Sequence, residues 1–151
     1  IKNMEQLANV KAYLCAVFGA VVGGIVNLMG GWSEDLTTLL LFMGVDFILG
    51  LLIAALWKKS NKSDTGALSS YSAWKGLCRK GGSLLVILIA YRLDVTLGVE
   101  YIRSAVIFAF IANEGISILE NLGIMGVKYP TALKKALDVL TSKAENSESI
   151  K

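Results

Sequence analysis

Apolar residues run almost unbroken from about Val10 to Gly30 and again from Leu36 to Trp57. The hydrocarbon core of a bilayer is about 30 Å thick and is crossed by about 20 mostly apolar residues of helix. Each run therefore predicts a spanning helix. A third apolar segment, about Gly81 to Leu97, holds Arg92 and Asp94 near its far end, and a fourth, about Tyr101 to Leu119, holds Asn113 and Glu114. The pattern predicts an all-α membrane protein with four transmembrane helices over about 10–30, 36–57, 81–97 and 101–119, or three if the third segment does not cross. The first run is too long for the apolar region of a signal peptide and has no small-x-small cleavage site before Trp32, so it reads as a retained helix.

Outside these runs the spacing changes. Ala67, Tyr71, Trp74 and Cys78 recur at helical intervals, with Ser70, Ser72, Lys75 and Arg79 elsewhere around the wheel. After Pro130, which suits a first helical turn, Leu133, Ala136, Leu137 and Leu140 form a second stripe, with Lys134, Lys135 and Asp138 off it. Amphipathic helices are thus expected over about 67–80 and 130–143, lying on an anionic inner leaflet or packing on a neighbouring helix. Residues 144–151 have nothing to bury and read as a disordered tail, after a single transmembrane domain over 1–140.

Composition sharpens this picture. Of 151 residues, 54% are hydrophobic and 18% charged, against about a quarter charged in soluble domains, and the mean hydropathy is +0.59. Histidine is absent and the two cysteines, Cys15 and Cys78, lie far apart. Neither a Cys/His metal site nor a disulfide is implied, and with no phosphate loop or nucleophile constellation no enzyme and no cofactor is expected.

Charge adds sidedness. Lys58, Lys59, Lys62, Trp74, Lys75, Arg79 and Lys80 lie between the second and third runs, whereas Glu34 and Asp35 follow the first run with no base beside them. Basic residues concentrate on the cytoplasmic side. Together with Lys2, Lys11, Lys134 and Lys135 they predict both termini inside, and the net charge of +3 reads as topology, with no nucleic acid as partner. Trp32 and Tyr101 would then sit at the outer interface, and Trp57 and Trp74 at the inner one.

Polar groups within the spans need partners, because a charge facing hydrocarbon is costly. Asp46 lies eleven residues before Trp57 and Arg92 eleven after Gly81. At about 1.5 Å per residue both reach a similar depth, so the count pairs Asp46 with Arg92 and leaves Asp94 for a basic group on a neighbouring chain. In the fourth segment Asn113, Ser117, Glu120 and Asn121 fall along one face with Glu114 beside it, either joining helices or lining water. Gly19 and Gly23 in the first run, and Gly50 and Ala54 in the second, are small enough for close helix contact.

Certain stretches resemble the small bacteriophage holin family, which also includes toxin-release holins. They are Gly30-Gly31-Trp32, then Met43, Asp46 and Gly50 as M-x-x-D-x-x-x-G, then the basic serine-bearing linker, then Asn113 to Asn121 as N-E-x-x-S-I-x-E-N followed by Gly126, Pro130 and Leu133. The resemblance covers about Gly19 to Leu140. Two departures are Phe47, where the family often has an aromatic hydroxyl, and Ser33, where it often has an acid. The resemblance implies a protein that accumulates in the bacterial cytoplasmic membrane, forms homo-oligomers and opens lesions through which an endolysin or a toxin leaves. In that setting Asp46, Arg92, Asp94, Asn113, Glu114, Ser117, Glu120 and Asn121 would serve assembly or wetting, and the lipid bilayer is the first partner. The residues alone leave two other readings open, a small proton- or ion-coupled transporter or channel working through Asp46 or Glu114, and a structural membrane subunit that docks a soluble partner.

Overall fold

The computed structural model describes residues 2–58, 65 and 69–148, and among the described residues there is no strand. The chain divides into two compact units, Ile1–Trp32 and Ser33–Lys151. The first unit is built on one helix, α1 (Lys2–Leu28). It begins eight residues earlier than Val10 and ends at Leu28, two residues short of the Gly30 that closes the first predicted run.

The second unit is a bundle of four helices, α2 (Glu34–Leu52), α3 (Ser70–Leu97), α4 (Ile102–Ile124) and α5 (Thr131–Glu148). Helix α2 opens after extended Ser33 with Glu34 and Asp35 in its first turn, where acids favour the positive end of the helix dipole. It runs on through a π-helical turn, Ile53–Trp57, that stops at left-handed Lys58. Its inward positions Leu36, Leu39, Met43, Asp46 and Ile53 keep helical spacing, and all are buried.

Helix α3 joins what the sequence separates. Of the amphipathic segment predicted over 67–80, Ala67 and Leu68 lie outside the described residues; from Ser70 on it forms with the span predicted over 81–97 one helix of 28 residues, started by Ser69, whose side chain accepts the Ser72 N–H. Charges at Lys75, Arg79 and Lys80 do not end a helix, and each of Gly81 and Gly82 costs it only about 1 kcal/mol relative to alanine. The helix therefore passes straight through. It ends at Gly98, which adopts the left-handed φ of 69° while the next N–H, of Val99, reaches back to the Asp94 carbonyl at 3.0 Å.

Directions follow from two contacts at one end. Arg103, in the first turn of α4, donates from Nη2 to Ser33 Oγ at the start of α2 (3.1 Å), and Asp94, near the end of α3, accepts the backbone N–H groups of Ile102 and Arg103 (2.9 Å each). Helices α2 and α4 thus run the same way, with α3 antiparallel to both. Leu36, Leu39, Ile53, Ile87 and Ile107 fill the space among them.

After a left-handed turn at Gly126 (φ 78°), α5 folds back antiparallel along α4. Leu137 seats over Gly115, where an added Cβ would stand 2.5 Å from Leu137 Cδ2. Ala144, seven residues on, is also buried, and α5 continues through Glu148 where a tail is predicted from residue 144. The contact with α4 supplies what the local sequence lacks, an apolar surface to hold the last turns. Residues 149–151 lie outside the described residues.

Three helices are long and apolar enough to cross a membrane among the described residues: Asn3–Leu28, Glu34–Trp57 and Ile102–Ile124. Helix α3 has the length, but its first half carries Lys75, Arg79 and Lys80.

Candidate functional site

A buried polar cluster ties α2, α3 and α4 together. Asp46 occupies a core position of α2 and is 2% exposed. Its Oδ2 accepts from Lys80 Nζ of α3 at 2.9 Å. Its Oδ1 accepts from Ser117 Oγ at 2.6 Å and from Asn121 Nδ2 at 3.0 Å, both on α4. Lys80 also donates to Glu114 Oε2 of α4. Removing such groups from water is expensive unless they meet partners of opposite charge and fill their remaining hydrogen-bond capacity. Here one amine lies between two carboxyl side chains while a hydroxyl and an amide serve the second oxygen of Asp46.

Helical spacing puts these side chains in reach of one another. Glu114, Ser117 and Asn121 stand at i, i+3 and i+7 on the face of α4 turned toward α2 and α3. Lys80 falls on the α3 stripe that continues through buried Ile87 to Asp94 at intervals of seven. At the far end of that stripe the two Asp94 oxygens take the first free N–H groups of α4, whose own capping residue, Tyr101, supplies no side-chain bond.

The structure changes several assignments. Asp46 meets Lys80, and Arg92 is exposed on α3. Counting depth from Gly81 misplaces the helix start; counted from Ser70, Lys80 lies ten residues in, matching the eleven from Asp46 to Trp57. Lys80 accordingly leaves the surface set, whereas Lys58, Trp74, Lys75, Arg79, Lys134 and Lys135 are exposed, and Lys59 and Lys62 lie outside the described residues. The polar stripe of α4 divides in two: Glu114, Ser117 and Asn121 turn inward, while Asn113 and Glu120, seven residues apart, are exposed on the other side. Asp94 is an intrachain cap. Gly50 is half-buried and Ala54 buried in α2, whereas Gly19 and Gly23 are exposed on α1.

The role of Lys80 escapes a reading that treats every basic residue between two apolar runs as linker. Its signal was the seven-residue interval to Ile87 and Asp94. Chemically the cluster is a closed network of donors and acceptors, and among the described residues no buried side-chain nitrogen or oxygen lacks a partner. Nor do three or more metal-binding side chains gather among the described residues. The arrangement fastens three helices and offers no poised nucleophile.

Comparison with known proteins gives a concordant result. Residues 23–142 match the model of a bacteriophage holin family. An uncharacterised protein of Listeria innocua is 37% identical over 132 residues, covering 87% of this chain and 86% of its own length. An uncharacterised protein of Clostridium perfringens is 38% identical over 129 residues, with 80% and 92% covered. A protein of Bacillus phage phi105 named "Probable holin" is 34% identical over 141 residues, with 93% and 87% covered. No solved structure matches the chain.

Proposed function

The chain belongs to the bacteriophage holin family, and from that premise we propose that it gathers in the bacterial cytoplasmic membrane, assembles with copies of itself and opens lesions that release an endolysin or a toxin. The observation that carries the reading is the buried cluster of Asp46, Lys80, Glu114, Ser117 and Asn121 on α2, α3 and α4, of which α2 and α4 are long and apolar enough to cross a membrane. Within one copy the cluster closes the bundle. In an assembly the same groups provide polar contacts between helices or to water, which an apolar bundle lacks. No bond-breaking step is assigned to them.

Direction supports four crossings. If α2 and α4 both span, and run the same way, the chain must return between them, and among the described residues α3 is the helix that lies between them in sequence. Lys80, ten residues into α3, and Asp94, three from its end, lie 14 residues and so about 21 Å apart along it, each bonded to a neighbouring helix. The basic residues before α3 and at the start of α5 favour the N-terminus and the turn between α4 and α5 inside.

The test is to induce the protein in bacteria that hold a cytoplasmic endolysin and to add an uncoupler at intervals. Abrupt lysis, advanced by the uncoupler, is the expected result. Continued growth with an intact permeability barrier at high expression would remove the proposal, and a steady proton leak without endolysin release would favour a coupled channel.

A further inference from the structure

The outer surfaces of the second unit differ in kind. On α2 the exposed side chains along the middle and end of the helix include Leu41, Val45, Ile48, Leu52 and Leu56, and on the second half of α3 Leu85, Val86, Ile89 and Leu93 are exposed, with Arg92 near the helix end, where a long side chain reaches the interface. These suit acyl chains. On the other side, α4 exposes Asn113 and Glu120 with Ile116 between them, and α5 lies along it with Lys134, Lys135, Asp138 and Glu145 exposed beside Leu133 and Val139. Asn113 shares a groove of about 580 Å³ with Thr141 and Glu145, floored by Ala105, Ala109 and Ala112 of α4.

Two independent features therefore mark the same side as one that hydrocarbon cannot cover: the polar positions that α4 itself turns outward, and the charged face of the helix packed on it. Length agrees. The 18 residues of α5 extend about 27 Å, close to the about 30 Å of a bilayer core, and its contacts reach from Gly115 to the start of α4 at Tyr101 and Ile102. With α4 spanning, α5 docked as observed lies at membrane depth with its charges turned away from the protein. Hydrocarbon does not suit them there, and the water of a lesion does.

We propose that the docked α4–α5 pair is the water-facing wall of the lesion, with α2 and the second half of α3 toward lipid. The proposal rests on the reading of α4 as a spanning helix in a lesion-forming protein. It adds that α5 is inside the lesion, as its lining, when the lesion is open. Leu137 and Ala144 hold the pair together while the opposite face of α5 is wetted.

The experiment reconstitutes the full chain in vesicles of anionic and zwitterionic lipid that contain a fluorescent dextran. In a background with Cys15→Ser and Cys78→Ser, the pair Ala109→Cys and Glu145→Cys, which line one groove, is bridged by a cleavable bismaleimide. Bridged protein is expected to release dextran as the unbridged protein does, because the pair stays docked in the open state. Leu137→Asp is expected to lose release while remaining resistant to alkaline extraction. Loss of release on bridging, regained on cleavage of the bridge, would overturn the proposal by requiring α5 to leave α4, and so would undiminished release by Leu137→Asp. If the unbridged cysteine protein and the natural sequence both release nothing although α4 is protected within the membrane, the lesion-forming reading fails first and takes the lining with it.

Discussion

At the scale of single residues, Lys80 carries more of this molecule than its place in the sequence announces. It is the amine between Asp46 and Glu114, and its side chain is 14% exposed. Lys80→Met leaves two carboxyl groups facing each other, and removing one partner of a buried pair costs about 3 kcal/mol. Arg92→Met, on an exposed position, should change stability by less than about 0.5 kcal/mol. Thermal unfolding of the detergent-purified variants separates the two. Equal losses, or a larger loss for Arg92→Met, would mean that Asp46 takes its cation from elsewhere. Asp46→Asn and Glu114→Gln added to Lys80→Met should recover part of the single loss, because they remove the two charges left without a cation while an amide oxygen at position 46 can still accept from Ser117 and Asn121.

Among the elements, α3 is where local pattern and observed structure part most clearly. Gly81 and Gly82 sit inside a continuous helix with no atom within 4 Å of a built Cβ. Gly81→Ala and Gly82→Ala should each stabilise the helix by about 0.5–1 kcal/mol, read as a higher unfolding temperature and slower amide exchange on both sides of the site. A hinge at this point would give no gain or a loss. The junction of α3 and α4 depends instead on Asp94, whose carboxylate receives two backbone N–H groups. Asp94→Ala should cost about 1–2 kcal/mol, as loss of a helix cap does, and should speed exchange of the Ile102 and Arg103 amides; unaltered exchange there would show that another group caps α4. Helix α5 makes the complementary point. It is amphipathic as its spacing requires, yet which neighbour takes the apolar face is decided by the small side of α4 at Ala112 and Gly115.

At the scale of the whole molecule, topology follows from direction and charge together. With four crossings and the N-terminus and the turn between α4 and α5 inside, an impermeant thiol reagent applied to intact cells before lysis should label Glu34→Cys and spare Lys135→Cys, both in the background free of native cysteine. A molecule with three crossings, in which α3 stays at the surface, would expose Lys135→Cys outside, so labelling there would sink the four-span arrangement. The sequence by itself determined that the chain is all-helical and made for a membrane. Runs of apolar residues of bilayer length and the depletion of charge are sums over many residues, and local errors do not alter them. It also marked Asp46, Glu114, Ser117 and Asn121 as polar groups that need partners, because the cost of burying them is a property of each side chain. It did not reveal that Lys80 is their cation, that Asn113 and Glu120 turn away from Ser117, or that α5 lies on α4. Those facts depend on where a helix starts, on which way it is rotated and on what lies across from it. A shift of eleven residues in the start of α3, from Gly81 to Ser70, or of one position around α4, exchanges one partner for another at little local cost. Only the packing of α2, α3, α4 and α5 against one another selects among them.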